Sequence, residues 1–205
     1  MHNEIPLLKT LMNSFYLHDY CTHQHSFNVS KLAQYIGKEL GLSKSQLEFI
    51  NLGGMFHDIG KISIPLSILN KPGKLTNEEY DIIKKHTTIG FDILSNVKCK
   101  HPIQLIALQH HEKLNGTGYP NGLTKDDILL ESQIISVADI TDAMMANRPY
   151  RKSRGIDKTL QELSNHRDIT LHDDSCEIVA EWLIKHDNQD ANCNIHTCLS
   201  CKDNY

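Results

Sequence analysis

The sequence predicts an all-α fold in a single domain, and three observations support this prediction. Apolar residues recur at helical spacing along most of the 205 residues. The alternating apolar and polar runs typical of strands are missing. Two pairs, Ser43 with Gln46 and Thr76 with Glu79, have the spacing of capping boxes, which start helices. A chain of this length can bury one substantial core, and a second full domain is not expected.

The predicted helices have distinct signals in chain order. The first two carry apolar residues at helical spacing, and the third and fourth begin near residues 44 and 77, after the capping boxes. Pro102 suits the first turn of a fifth helix that runs to about Glu112, and a sixth ends near Asn147. Two shorter amphipathic helices follow. Residues 60–75 and 114–124 are rich in Gly and Pro, so we expect irregular loops that form walls of a site.

The composition excludes several classes of protein. The formal net charge of −4 and the pI near 6.3 give no basic face for binding long nucleic acid. No apolar run is long enough to span a membrane and no signal peptide is evident, so we expect a cytoplasmic protein without membrane insertion. The six cysteines do not suggest a disulfide framework.

Histidine is the informative excess, with 13 residues in the chain. His57 and Asp58 stand side by side at the end of an apolar helix. Both can reach one ion only if the helix end faces it, which leaves the carboxylate free to bridge to a second ion. Candidate partners on other predicted helices are His25, His86, His110, His111 and Asp139. Mixed imidazole and carboxylate ligation suits Fe or Mn, with Zn as an alternative. The remaining histidines are not part of such a group, and we expect them to be structural or on the surface. They are His18, His23, His101, His166, His172 and His186.

Several motifs extend this pattern. The sequence His57-Asp58-Ile59-Gly60-Lys61 is followed later by His110-His111-Glu112 and by Gly118-Tyr119-Pro120. A bare His-Asp pair is a weak signal, whereas its combination with the two later motifs is specific. In this combination the chain resembles the HD-GYP family. Further matching positions are His25-Ser26, Ile64-Pro65, Lys71 to Leu75, His86, Gly90, Asp139 and Arg148 to Arg151.

The resemblance implies an HD-type helical bundle with a binuclear metal site in its core. One ion would be held by His25, His57, Asp58 and Asp139. The other would be held by Asp58, His86, His110 and His111, with Asp58 as the bridge. The expected cofactors are two divalent transition-metal ions, Fe or Mn in the first place, with Zn, Ni or Mg as alternatives.

The activity that the resemblance implies is hydrolysis of cyclic di-GMP to linear pGpG or to GMP by metal-activated water. Cyclic GMP-AMP is an alternative substrate. Two rival functions stay open: a general helical phosphohydrolase, and a non-hydrolytic cyclic dinucleotide sensor or protein-interaction module. The Gly-Tyr-Pro block argues against the first, and the complete set of binuclear ligands argues against the second. A homodimer or a GGDEF-type protein partner is compatible with the family, and the chain is either a free-standing catalytic unit or an excised one.

The resemblance also assigns roles around the metals. Asp58 and Lys61 are the expected catalytic residues, with Lys61 stabilising charge in the transition state. The expected substrate-binding residues are Lys61, Gly118, Tyr119, Pro120, Arg148 and Arg151. Within this set, Tyr119 would fill space or stack on a base, and the arginines would contact phosphate or guanine.

Two positions depart from the family pattern. Members with a third metal carry Glu four residues before the position of His25, and here that residue is Cys21. A neutral thiol does not replace a carboxylate that bridges hard ions, so we predict a binuclear site, and Cys21 is alternatively part of the core. Asn115 stands where the family usually has Asp. Asn keeps the turn geometry while a local charge is lost.

The C-terminal segment has a different composition. We expect the phosphodiesterase domain to span residues 1–187 and a polar, cysteine-containing tail to span 188–205. The pattern of Cys193, His196, Cys198 and Cys201 is compatible with a Zn or iron-sulfur site. A frayed end that carries free thiols is the expected state.

Overall fold

The structure is a computed structural model that describes residues 4–146 and 153–187. These residues form ten α-helices and two 3-10 helices, and their only bridges are isolated ones at Asn115–Thr124 and Arg167–Leu171. The all-α prediction is confirmed. Arg148 and Arg151 and the tail from 188 to 205 lie outside the described residues.

The helices follow one another with short connections. Their bounds are α1 Glu4–His18, α2 Tyr20–Glu39, α3 Lys44–Phe56, α4 Leu66–Leu69, α5 Asn77–Lys84, α6 His86–Ser95, α7 Ile103–Gln109, α8 Leu130–Met145, α9 Ile156–His166 and α10 Asp173–Asp187. The 3-10 helices are Ile59–Ser63 and Lys125–Asp127. No helix within these described ranges combines the length and the apolar character that crossing a membrane requires.

Both predicted capping boxes form. At the start of α3, the Ser43 hydroxyl accepts from the Gln46 amide at 3.3 Å, and the Gln46 side chain accepts from the Ser43 amide at 3.2 Å. At the start of α5, the Glu79 carboxylate accepts from the Thr76 amide at 2.8 Å, and the Thr76 hydroxyl accepts from the Glu79 amide at 3.3 Å. These reciprocal bonds satisfy amides that have no partner inside the helix.

Three of the predictions about the elements are wrong. Residues 60–75, expected to be an irregular loop, contain most of the first 3-10 helix and all of α4. Helix α7 ends at Gln109, so His110 and His111 follow the helix instead of lying within it. The fourth predicted helix, which begins near residue 77, is divided into α5 and α6, and His86 is the first residue of α6.

Helix α2 lies at the centre of the fold and packs against α3 and α8. Side chains such as Ile36, Ile50 and Ile135 are fully buried between these helices. Burying an aliphatic side chain of this size stabilises the fold by roughly 1.5–3 kcal/mol. The same packing brings the polar positions of α2 and α8 next to the end of α3.

The first 3-10 helix lies directly against α6. A Cβ built on Gly60 would overlap the carbonyl oxygen of His86 and lie 2.6 Å from the amide nitrogen of Gly90. Only glycine allows this approach without displacing one of the two backbones. The contact holds His57 and Asp58, which precede Gly60, next to His86.

Candidate metal centre

The structure brings all seven predicted metal ligands together. They come from α2 (His25), the end of α3 (His57 and Asp58), the start of α6 (His86), the end of α7 (His110 and His111) and α8 (Asp139). Their ligand atoms fall into two groups in which every atom lies within 4.8 Å of the others: His25, His57 and Asp58, and then Asp58, His86, His110 and His111. Asp139 joins the first group through His25, with its Oδ1 2.9 Å from Nε2 of that ring.

Asp58 belongs to both groups and turns one oxygen towards each. Its Oδ1 lies 3.3 Å from Nε2 of His86 and 3.8 Å from Nε2 of His110. Its Oδ2 lies 3.4 Å from Nε2 of His57 and 3.9 Å from Nε2 of His25. The carboxylate is 1% exposed, so it is taken out of water at the junction of the two groups.

Three of the imidazoles are oriented by the main chain of their own segments. Each places Nδ1 against the carbonyl oxygen three residues earlier, at 2.8 Å for His57 and Gly54, 2.6 Å for His86 and Ile83, and 3.0 Å for His110 and Ala107. A carbonyl only accepts, so Nδ1 carries the hydrogen in each ring. In the neutral ring the Nε2 atom is then unprotonated, and its lone pair faces Asp58.

The unsatisfied atoms of this cluster fit a cation. The buried His57 Nε2 and Asp58 Oδ1 make no hydrogen bond within the described ranges. The Nε2 atoms of His86 and His110, both acceptors when Nδ1 is protonated, lie 3.2 Å apart. Buried lone pairs without donors are costly, and a divalent ion satisfies several of them at once. The cluster therefore has the donors and the orphaned atoms of a divalent metal site.

Burial keeps the histidines of the second group neutral. It lowers the pKa of His86 to about 4 and the pKa of His111 to about 3. Burial and the neighbouring imidazoles also hold the pKa of His110 well below its usual value. Neutral imidazole is the form that binds metal, so at pH 7 these rings can donate lone pairs without first losing a proton.

For Asp58 and His25, the neighbouring groups affect the pKa more strongly than burial does. Burial alone would raise the pKa of Asp58, but Lys61 and His57 hold the pKa well below its usual range. Burial alone would lower the pKa of His25, but its hydrogen bonds with Asp139 and Asp142 raise the pKa to about 9. The site thus offers ionised carboxylates, whose negative charge attracts cations.

Lys61 lies inside the site. Its Nζ donates to Oδ2 of Asp58 at 2.6 Å, and its side chain is mostly buried. This Asp58 oxygen also faces His57 and His25, so the ammonium sits beside the first group of ligands.

The Gly-Tyr-Pro loop is tied to the second group of ligands. The buried carboxylate of Glu112 accepts the amides of Asn121 at 2.7 Å and Leu123 at 3.0 Å. A Cβ on Gly118 would overlap the backbone of Glu112, so the loop needs glycine for its close approach. The bonds from these two amides to the Glu112 carboxylate therefore fix this loop against the segment that carries His110 and His111.

Tyr119 stacks on a predicted ligand. Its ring lies 4.8 Å from the ring of His111 at an interplanar angle of 29°. Its amide also donates to the His111 carbonyl at 3.2 Å. Tyr80 meets Tyr119 edge-on at 6.4 Å. One face of Tyr119 is thus covered by His111.

Sequence reasoning missed Asp142. This buried residue lies on α8, and its Oδ2 is 2.6 Å from Nδ1 of His25. The available signal was its position three residues after Asp139, which places both carboxylates on one helix face. From the sequence alone, the same spacing is equally compatible with two solvent-exposed carboxylates, because the packing of α8 on α2 is not known.

The two departures from the family pattern have different outcomes. Cys21 is exposed, so the alternative that it belongs to the core is wrong. Asn115 keeps the expected turn: its Oδ1 accepts from the Thr117 amide at 3.2 Å and from the Thr117 hydroxyl at 2.7 Å. The following Gly116 takes a φ of 78°, which glycine adopts without strain.

Comparisons with known proteins agree with this architecture. The HD domain family profile matches residues 8–175. A Thermotoga maritima protein named cyclic di-GMP phosphodiesterase is 45% identical over 148 residues, which are 70% of this chain and 40% of that protein. The Vibrio cholerae 3'3'-cGAMP-specific phosphodiesterase 1 is 42% identical over 155 residues, which are 76% of this chain and 34% of that protein.

One solved structure has the same fold. Bd1817, a HDG"Y"P protein from Bdellovibrio bacteriovorus, superimposes with a TM-score of 0.65 at 23% identity, covering 78% of this chain and 51% of that one. The chain spans between about a third and two fifths of the length of the curated relatives described above. Since the family profile covers most of the chain and the His-Asp, His-His-Glu and Gly-Tyr-Pro motifs meet at one cluster, the chain belongs to the HD domain family, in its HD-GYP branch.

Proposed function

We propose that this chain is a metal-dependent cyclic dinucleotide phosphodiesterase that hydrolyses cyclic di-GMP to linear pGpG or GMP. The observation that carries the proposal is the position of Asp58, which turns one carboxylate oxygen towards each of two groups of imidazoles. A bridging carboxylate between two imidazole sets is suited to a pair of ions a few Å apart, and such pairs are used for phosphodiester hydrolysis.

The proposed ligands divide between two ions. His25, His57, Asp58 and Asp139 hold the first, and Asp58, His86, His110 and His111 hold the second. The mixture of imidazole and carboxylate donors, without thiolate, favours Fe or Mn. When bound, the ions supply Lewis-acid chemistry, which lowers the pKa of water and neutralises phosphate charge.

The remaining groups of the site act on the substrate. Lys61 lies mostly buried beside Asp58 and adds a fixed positive charge where a phosphate oxygen becomes more negative. The loop of Gly118, Tyr119 and Pro120 forms one wall of the pocket. Arg148 and Arg151 are the proposed contacts to phosphate or base, since the guanidinium fork suits both.

The relatives favour two substrates. The Thermotoga relative is named for cyclic di-GMP and the Vibrio relative for 3'3'-cGAMP, at similar identity to this chain. Both substrates have two phosphodiesters in one ring, so the same metal centre suits either one. Cyclic di-GMP is the first candidate and 3'3'-cGAMP the second.

The experiment compares three substrates with protein reconstituted anaerobically with Fe(II) or Mn(II). Cyclic di-GMP, 3'3'-cGAMP and an aryl phosphodiester are incubated separately, and the products are identified by mass spectrometry. We expect turnover of a cyclic dinucleotide with preference over the aryl ester. Binding without turnover would instead indicate a sensor, and preference for the aryl ester would indicate a general phosphohydrolase.

A matched pair of variants tests the role of Asp58. Asp58→Ala is expected to abolish both metal retention and turnover, because both groups of ligands lose their shared carboxylate. Asp92→Ala, at an exposed position on α6, is the control and is expected to behave as the unmodified protein. Unchanged activity in Asp58→Ala would refute the assignment.

A further inference from the structure

The ring of His25 is oriented differently from the rings of three other predicted ligands. His57, His86 and His110 direct Nδ1 to a main-chain carbonyl three residues earlier. His25 directs Nδ1 to Oδ2 of Asp142, at 2.6 Å and 117 residues away in the chain. Its orientation therefore depends on a side chain from another helix, which a substitution can remove.

Two carboxylates of α8 contact opposite edges of this one ring. Asp139 and Asp142 are three residues apart and share a helix face. Oδ1 of Asp139 lies 2.9 Å from Nε2, the nitrogen that also faces Asp58 at 3.9 Å. Asp142 contacts Nδ1, on the other side of the ring. Only the Nε2 edge is directed into the cluster. Asp139 therefore lies on the side of the proposed ion, whereas Asp142 contacts the ring from the opposite side.

Among the described residues, the side chain of Asp142 makes no polar contact other than the one to His25. The residue is 1% exposed, and its second oxygen, Oδ1, makes no hydrogen bond there. Burying a carboxylate with one unsatisfied oxygen costs free energy. The short bond to His25 is the interaction that offsets this cost.

We infer that Asp142 is a positioning residue for the metal centre, acting through His25. By accepting from Nδ1, it keeps the hydrogen on that nitrogen and holds Nε2 as the donor atom towards the ion beside Asp58. Carboxylates behind metal-bound imidazoles act in this way, and their loss weakens metal binding about 10- to 100-fold. The inference rests on the proposed function only in requiring that His25 binds a metal.

The test measures metal binding rather than turnover. The full chain and its Asp142→Asn and Asp142→Ala variants are titrated with Mn(II) against a competing chelator, and the bound metal is counted. Asp142→Ala is expected to lower the affinity for one of the two ions about 10- to 100-fold and to leave the affinity for the other unchanged. Asp142→Asn keeps an acceptor oxygen and is expected to restore most of the affinity. Asp92→Ala is the control for losing an aspartate on a helix.

A spectroscopic readout separates positioning from a general structural effect. In Zn(II)-loaded protein, proton NMR of the imidazoles should show an Nδ1–H of His25 that exchanges slowly with solvent in the unmodified and Asn forms. In Asp142→Ala the same proton has lost its acceptor and should exchange rapidly. Should Asp142→Ala fail to fold, Asp142→Leu replaces it, because Leu keeps a comparable volume without an acceptor.

Three results would overturn the inference. The first is unchanged Mn(II) affinity in a folded variant without an acceptor. The second is an Nδ1–H of His25 that exchanges with solvent as slowly in that variant as in the unmodified protein. The third is a folded Asn variant that loses as much affinity as the Ala variant. None of these measurements uses a cyclic dinucleotide, so a failure of the proposed substrate would not affect the role inferred for Asp142.

Discussion

At the scale of single residues, the chemistry of the site depends on which atom each side chain directs inward. Four of the imidazoles present Nε2 to Asp58, namely those of His25, His57, His86 and His110. Burial keeps the three histidines of the second group neutral, as their lowered pKa values indicate. Tyr119 was expected to fill space or to stack on a base. One face of its ring is occupied by His111, so that face is not free to stack on a base.

We predict that Tyr119 supports the position of His111. Tyr119→Phe keeps the stacked ring and is expected to bind metal as the unmodified protein does. Tyr119→Leu removes the stack, an interaction worth about 0.5–1.5 kcal/mol beyond its buried area, and is expected to weaken metal binding up to roughly tenfold. Chelator competition with Mn(II) measures both variants. Equal weakening in Phe and Leu would instead point to the hydroxyl.

At the scale of elements, the close contact between the first 3-10 helix and α6 brings the two ligand-bearing segments together. Gly60 permits this contact, because a Cβ there would overlap the His86 carbonyl oxygen. The position of Asp58 relative to His86 thus depends on the absence of one side chain outside the ligand set.

We predict that Gly60→Ala damages both stability and metal binding. Forcing a methyl group into a packed contact costs about 1–3 kcal/mol, and separating the segments moves Asp58 away from His86. Urea unfolding of the metal-free protein measures the first effect, and Mn(II) titration measures the second.

Gly41→Ala serves as the control for this prediction. Gly41 has a φ of 72°, and a Cβ added there would meet no neighbouring atom within 4 Å. This substitution is expected to cost about 1 kcal/mol through backbone strain alone. Its metal affinity should be unchanged, and a Gly60→Ala protein with normal affinity would contradict the role of the contact.

Much of the element structure could be predicted, for identifiable reasons. The starts of α3 and α5 were predicted correctly because their capping boxes are local signals between residues three apart. Helix α4 and the first 3-10 helix were missed because segments of four or five residues are too short for an apolar period. The clustering of the seven proposed ligands could be predicted from motif resemblance, whereas Asp142 and the Tyr119 stack depend on contacts between distant segments.

At the scale of the whole molecule, five helical segments converge on one buried cluster. Ions held by the proposed ligands would therefore connect α2, α3, α6, α7 and α8, and a ligand that binds only the folded state stabilises that state. The same convergence makes the cluster sensitive to the overall packing of the bundle.

We predict that metal removal lowers thermal stability. At a free metal concentration about 100 times Kd, one ion contributes about 2.7 kcal/mol, which corresponds to roughly 5–11 °C in a protein of this size. Calorimetry with and without a chelator measures the difference. Asp58→Ala should show no such dependence on metal, and an equal chelator effect in that variant would place the stabilising ion elsewhere.

We also predict that the tail is dispensable for the metal centre. A chain that ends after residue 187 keeps all seven proposed ligands and is expected to retain the metal content and the turnover of the full chain. Elemental analysis and the cyclic dinucleotide assay compare the two proteins. Loss of one bound metal on truncation would indicate that Cys193, His196, Cys198 and Cys201 hold an ion.

The main-chain bonds of His57, His86 and His110 have a consequence for protein design. Because the carbonyl partner of each ring belongs to its own segment, grafting these histidines onto another helical scaffold requires only matching backbone turns. His25 would need a companion carboxylate transferred with it. A minimal transplanted site would therefore carry one extra residue beyond the set that touches the ions.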